Sequence, residues 1–382
     1  MKVLFLTYGP PVVASSRTRV FQYLPFLQKE GVRYKVITNS TGLSYYLVKY
    51  FRSDALVIRM TRFTAKKIQQ VVDLIFSFFQ IVRFIILAMF YDVLFVQKVL
   101  IPTFVLKLCS GIFKKKLVFD FEDAIMFDHR NPQKPLAGKL KRFVAAVKMA
   151  DKIITDITPL VDFVKKINSS VVVIPTCLDT TEYEAEKKQL TDGKIRLVWI
   201  GSKSNLIYLN QIREVLGQIG KKYKNVFLRI ICDDFLELQN IPVEKIQWSL
   251  KTQASDLINS DIGLAPLGDD NFARNKNCFK ILQYAAASLP VVASSAGTNA
   301  ELMSDGVTGF LVETPQQWLD RISTLIENPD LRCKMGQEAK RFVKNFDVSI
   351  LGRTFVDTLL STASGSECRN LNNTGSFISF HK

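Results

Sequence analysis

Ile262-Gly-Leu-Ala-Pro-Leu-Gly-Asp-Asp-Asn-Phe-Ala-Arg-Asn-Lys-Asn-Cys-Phe-Lys-Ile-Leu-Gln-Tyr-Ala-Ala-Ala-Ser-Leu-Pro-Val-Val-Ala-Ser294 changes its pattern three times. Ile262–Pro266 is a short apolar strand, a polar loop follows, a helical pattern opens near Cys278, and Pro290–Ser294 begins a second strand. Parallel neighbours need a crossover, usually a helix, so strand, loop, helix, strand is the repeat of a parallel α/β sheet. The loop carries Arg274 and Lys276 just ahead of the helix, whose first residues are Cys278 and Phe279. The first amides of a helix lack partners inside it, and two cations beside them make an anion site suited to a diphosphate. One turn further, Gln283 can offer its amide to sugar hydroxyls. The competing reading makes Arg274, Lys276 and Lys280 a solvated basic face.

The same alternation runs outward in both directions. Upstream in the second half, strands are expected at Arg196–Gly201, Val226–Cys232 and Ile246–Ser249, and downstream at Gly309–Val312, with helices at Tyr208–Lys222 and Thr314–Glu327. The first half offers strands at Val3–Tyr8, Tyr34–Thr38, Asp54–Ile58, Val93–Gln97, Leu117–Phe121, Lys152–Thr155 and Val171–Ile174, with helices at Thr18–Glu30 and Gly138–Ala150. A polar run, Asp179 to Gly193, divides the halves. The expected fold is therefore α/β, with two Rossmann-like domains whose parallel sheets face an interdomain cleft. The domains fall at 1–182 and 194–350, joined by a linker at 183–193. A terminal helix and disordered tail fill 351–382.

Charge is unevenly spread. Residues 1–180 carry 27 Lys and Arg against 12 Asp and Glu, while residues 181–382 carry 24 against 23, so the first half holds nearly all of the net +16. Such a half suits an anionic partner: a membrane surface, a lipid-phosphate acceptor or nucleic acid. A solvated basic face is the bland alternative. Basic-aromatic repeats and recognisable readout modules are lacking, which argues against nucleic acid. Gln69–Tyr91 is almost wholly apolar, yet Asp73, Ser77, Gln80 and Arg83 recur at helical spacing along one side. It reads as a buried core helix, a helix in the membrane interface or a span, and Asp73 and Arg83 weigh against the last. The six cysteines show no disulfide or metal spacing, and Met1–Tyr8 does not resemble a secretion signal. A cytoplasmic protein is expected, possible as a peripheral one at the inner membrane face.

The stretch around Arg274 resembles the donor-binding signature of the retaining glycosyltransferases called group 1 or family 4. The likeness continues in Pro290–Ser294, Gly297–Glu301, Gly306–Val312, Glu327–Arg332, Met335-Gly336 and Phe346. Earlier parts are Ser16–Leu27, Asp120–Ala124, Ala150–Ile154, Val173–Thr176 and Val198–Ser202, so about nine-tenths of the chain follows the family's order. The resemblance implies the GT-B fold, a nucleotide-sugar donor held by the second domain, retention of configuration, and work in polysaccharide or glycoconjugate assembly. It also implies a saccharide or lipid-linked acceptor at the first domain. The family's two glutamates fall on Asn275 and Gln283. A glutamine can still hold ribose hydroxyls, but Asn275 can neither act as a carboxylate nucleophile nor take a proton.

Geometry supplies further candidates. Gly201 ends the opening strand of the second domain and permits close backbone approach, Lys203 follows it, and Glu301 sits after a turn. On the acceptor side, Arg17 and Arg19 enter the first helix as possible phosphate ligands, while Asp120, Glu122 and Asp123 follow a strand end beside His129 as candidates to position or deprotonate a hydroxyl. No ordered metal-ligand spacing is present, so neither metal nor other cofactor is expected. A non-catalytic sugar-nucleotide-binding or assembly protein and a sugar-nucleotide epimerase share the architecture and stay open.

Overall fold

Every strand pairing among the described residues is parallel. The computed structural model describes residues 1–40, 56–127, 133–156, 158–185, 192–268 and 270–366. Two units result, Met1–Thr176 with the chain from Ser349 onward, and Cys177–Val348.

The first unit contains β1 (Lys2–Thr7), β2 (Arg33–Thr38), β3 (Val93–Gln97), β4 (Lys116–Asp120), β5 (Lys152–Thr155) and β6 (Val171–Val173), ordered β2-β1-β3-β4-β5-β6. Apart from the edge strand β2, its strands are largely apolar runs because both faces are covered. Leu4, Leu6, Leu94 and Val96 join one core with Phe84 and Phe143. On the opposite face Phe5 packs on Phe95, and Phe95 meets Phe355 of the helix Val348–Ser364. Tyr23 stacks on the same Phe355 with ring centroids 4.3 Å apart, and a Cβ at Gly352 would stand 2.8 Å from the Phe26 ring. The last helix thus completes the first unit. The tail beyond residue 366, with Cys368, lies outside the described residues.

The second unit contains β7 (Ile195–Ile200), β8 (Val226–Cys232), β9 (Val243–Gln247), β10 (Ile262–Ala265), β11 (Val291–Ser294) and β12 (Gly309–Val312), ordered β12-β11-β10-β7-β8-β9. Alternation along β7 sends Leu197 and Trp199 to one core cluster and Val198 and Ile200 to the other. Gly309 and Gly336 permit the closest backbone approaches: a Cβ on either would stand 2.1 Å from a carbonyl oxygen, of Val291 or Ser288. The segments that enter and leave this unit pair with each other, Leu178 donating to Phe346 O and Val348 to Leu178 O. Asp347 clamps them by accepting from both the amide and hydroxyl of Thr180. The expected linker therefore begins inside the second unit, and residues 186–191 lie outside the described residues.

Several expectations change, among them the helix over Tyr208–Lys222, which breaks at Ile212 into Leu206–Gln211 and Arg213–Lys222. Of the strand read at Asp54–Ile58, residues 54–55 lie outside the described residues and 56–58 belong to the helix Leu56–Ala88. There the helical periodicity downstream overrides the local β-branched run. Thr18–Glu30 splits into helices Ala14–Arg19 and Leu24–Lys29 around a tight turn at Phe21–Tyr23. The apolar segment after residue 69 is helical but is no core helix, since only 17% of Gln70–Ala88 is buried.

Candidate functional site

The second sheet reverses its winding between β7 and β10, and ligands of such sheets sit at the carboxyl ends of the two strands where this happens. These strands pair only through Ile262–Leu197 and Gly263–Val198. Beyond that, the Tyr284 hydroxyl accepts from Ile200 N at 3.0 Å and donates to Leu264 O at 3.1 Å, standing in for a ladder rung. Gly263 makes room for the Tyr284 ring, which would lie 2.7 Å from an added Cβ. Gly201 likewise leaves space for the Trp199 indole, 2.7 Å from an added Cβ. Its absent side chain therefore serves packing directly beneath the strand end.

The loops after β7 and β10 are tied together here. Lys276 Nζ donates to Asn205 Oδ1 at 2.5 Å and lies 5.5 Å from the Tyr208 ring centroid. Asn205 in turn donates to Ser202 Oγ at 3.0 Å. Thr298 fixes the helix entry: its hydroxyl accepts from Cys278 N and donates to Lys276 O, both at 3.0 Å. Asn299 donates to Ala265 O and Ser294 O, stitching the β11 loop to the end of β10. Gly297 permits this crossing with φ +57, since a Cβ would stand 2.8 Å from Ala273 O. Sequence reading missed Asn205, Tyr208, Thr298 and Asn299, whose roles depend on partners far away along the chain.

The helix Phe279–Ala286 starts from this clamp. Half-buried Lys280 holds its ammonium 4.5 Å from the Trp199 ring centroid. Burial, reinforced by the like charge of Lys276, lowers its pKa to about 7. Two lysines crowded at a helix entry form a site that gains from receiving an anion. A bound diphosphate would favour protonated Lys280, so diphosphate binding here is expected to take up a proton above pH 7 and weaken as pH rises from about 7 to 9. Calorimetry in buffers of different ionisation enthalpy checks this, and Lys280→Gln should abolish the uptake.

Other donor candidates take different positions. Arg274 is exposed at the end of the short helix Asn271–Arg274, and Asn275 donates to Asn271 O at 2.8 Å, fixing its amide on its own turn. Phe279 is half-buried and Cys278 buried. Lys203 pairs with Asp234 at the surface, and Glu301 is exposed on the helix Asn299–Leu302. Gln283 needs correction: it is buried, its amide nitrogen 3.3 Å from Gln253 Oε1 and 3.4 Å from the Tyr183 hydroxyl. That turns the donor group inward rather than toward a sugar.

The first unit also corrects the acceptor-side expectations. Arg19 is 1% exposed, with Nη2 2.5 Å from Asp120 Oδ1, Nη1 3.6 Å from Asp156 Oδ2, and Nη1 donating to Ile174 O at 2.7 Å. Burial alone would lower its pKa, but Asp120 and Asp156 hold it above the ordinary arginine value. Arg19 and Asp120 thus form an internal ion pair, which withdraws one from phosphate binding and the other from base catalysis. Arg17 donates to Pro11 O and Val12 O, bracing the loop before its own helix. Lys98, missed in the sequence, lies 2.6 Å from Glu122 and 2.5 Å from Asp123, so the two carboxylates share one cation. His129 lies outside the described residues. Among the described residues, no group of three His, Cys, Asp or Glu could hold a metal.

Residues 276–342 match the family described as glycosyl transferases group 1. A D-inositol 3-phosphate glycosyltransferase of Corynebacterium efficiens is 33% identical over 89 residues, 23% of this chain and 21% of that protein. Spore coat protein SA of Bacillus subtilis is 32% identical over 59 residues, 15% of this chain and 16% of that protein. The chain thus covers about a fifth of the length of these curated relatives. Among solved structures, Anabaena HepE in complex with UDP and glucose aligns with a TM-score of 0.64 at 16% identity, over 94% of this chain and 100% of that one. Sucrose-phosphate synthase from Thermosynechococcus elongatus aligns at 0.69 and 10% identity, over 96% and 100%. The fold is therefore the two-Rossmann-unit GT-B fold of glycosyltransferases, and the group 1 match begins at Lys276.

Proposed function

We propose that this chain is a group 1 glycosyltransferase that moves a sugar from a nucleoside diphosphate donor to a saccharide or lipid-linked acceptor. The observation that carries the reading is the pair Lys276 and Lys280 at the entry of the helix Phe279–Ala286, beside the winding reversal of the second sheet. Cations and helix amides at that position neutralise a departing diphosphate, the charge that develops as the glycosidic bond to the donor breaks. This reading needs no metal or cofactor. Structures of Anabaena HepE with UDP and with UDP-glucose support a nucleotide sugar as the ligand class.

Retention and membership of family 4 rest on the order of motifs from Ser16 to Phe346. With Asn275 where the family carries glutamate, the reading excludes a covalent glycosyl intermediate on that side chain. The second unit holds the donor, the first serves the acceptor, and the work is cytoplasmic, feeding polysaccharide or glycoconjugate synthesis. A second reading, a silent binding or assembly protein of the same fold, draws on Asn275, which has no carboxylate and donates one N–H to Asn271 O.

A panel of nucleotide sugars followed by thermal unfolding selects the donor, because a ligand at 100 times its Kd stabilises by about 2.7 kcal/mol. Labelled donor then separates the readings. Transfer to an added saccharide or lipid-linked acceptor marks the transferase, and stabilisation without turnover marks the silent protein. Interconversion of the sugar without acceptor marks an epimerase, and no stabilisation by any donor overturns the proposal.

A further inference from the structure

The helix Leu56–Ala88 presents its apolar side outward. Val71, Ile75, Phe78, Val82, Ile86 and Met89 recur every three or four residues, and each is between 38 and 65% exposed. The opposite side carries the polar groups: Ser77 donates to Asn39 Oδ1 at 2.9 Å and Gln80 is buried, followed by buried Phe84 and Ala88. A helix settling on a core in water has the reverse arrangement. The exposed stripe runs for roughly 27 Å at 1.5 Å per residue, far more than scattered surface residues account for.

Its carboxyl end meets positive charge. Lys115 Nζ donates to Met89 O at 3.0 Å, joining the turn Lys114–Lys116 to the helix end. Lys114, Lys115 and Lys116 line a cavity of about 340 Å³ together with Asp151, which pairs with Lys116 and leaves the other two lysines to carry the charge. Exposed Ile112 precedes them, and Arg83 lies exposed within the apolar run. Apolar side chains edged by cations fit the boundary between lipid headgroups and acyl chains, where an arginine extends its head toward phosphate. A second copy placed symmetrically on this face would bring the same basic turn against itself or its neighbours in a region already rich in positive charge.

We propose that this face docks on an anionic lipid bilayer, with the helix lying flat in the interface and Lys114 and Lys115 over the headgroups. The inference does not rest on the sugar-transfer reading, and its test needs no donor. The full chain is floated with phosphatidylcholine vesicles containing about 30% phosphatidylglycerol, and with phosphatidylcholine alone. Binding is expected to anionic vesicles, to fall with salt and on neutral vesicles, and to drop at least tenfold in the double variant Ile75→Glu/Phe78→Glu. Both positions are over half exposed, so circular dichroism should show an unchanged fold, and Leu74→Glu, at 71% exposed, gives an independent check. Failure of the wild type to float, or equal flotation of the variants, overturns the proposal. A dimer that the same variants dissolve, without flotation, assigns the face to a second copy. Retention in cell membranes after alkaline carbonate extraction overturns flat docking in favour of a span.

Discussion

Lys276→Ala is expected to weaken nucleotide-sugar binding by roughly 10- to 150-fold, the equivalent of about 1.5–3 kcal/mol for one hydrogen bond to a charged group. The amine already reaches across to Asn205 of the β7 loop, so its loss removes both a cation and the tie between two loops bordering the site. A second consequence distinguishes this role from simple loosening. Burial and, after it, the like charge of Lys276 lower the pKa of Lys280, so removing Lys276 should let Lys280 rise only part of the way from about 7 toward the ordinary lysine value. The proton uptake on binding should therefore shift to higher pH in the variant. Calorimetry reads both effects. Wild-type affinity with an unchanged pH dependence would place the diphosphate elsewhere.

Arg19→Ala should destabilise the first unit by about 3–5 kcal/mol, the usual cost of stripping one partner from a buried ion pair. Asp120 is 0% exposed and Asp156, held by the amide and hydroxyl of Thr176, also loses its cation, so the change leaves two buried carboxyls without it. Burial already raises both acids, Asp120 to about 6 and Asp156 to about 7, against the opposing pull of Arg19. Without Arg19 they favour the neutral form still more. Protonated carboxyls need no counter-charge, so the deficit should be smaller at pH 5 than at pH 8. All three tryptophans, Trp199, Trp248 and Trp318, belong to the second unit. Tryptophan fluorescence should therefore keep its urea midpoint while the far-ultraviolet circular dichroism gains an earlier transition. Replacing Arg19→Met together with Asp120→Leu should recover part of the loss, with Asp156 still short of its cation. A shift confined to the tryptophan transition would contradict the assignment.

What the sequence made legible was set by local rules. Strands such as Val93–Gln97 and Val226–Cys232 were read at their observed bounds because buried parallel strands are continuous β-branched and aromatic runs. The loop and helix from Arg274 to Lys280 were legible because a strand end, basic residues and a helix start lie within a few positions of one another. The acceptor side was not. Arg19 and Asp120 are 101 residues apart, and nothing local in either segment shows that they meet in the interior. Gln283 lies on the expected helix, but only the packing of Tyr183 and Gln253 determines where its amide points. The polar stripe from Asp73 to Arg83 was visible, whereas the inward direction of Ser77 and Gln80 required the neighbouring Asn39 and the sheet beneath.

The helix Val348–Ser364 has a consequence for how the chain is made. Tyr23 and Phe95 leave the ribosome before the second unit does, yet Phe355, against which both pack, emerges after the whole of it. The second unit is one uninterrupted segment and can finish folding as it emerges, while the first must wait, with part of its aromatic core uncovered, until the helix Val348–Ser364 has been made. The order in which the two units are made is therefore the reverse of the order in which they can be completed, and a chain lacking residues 349–364 would join a complete second unit to an unfinished first.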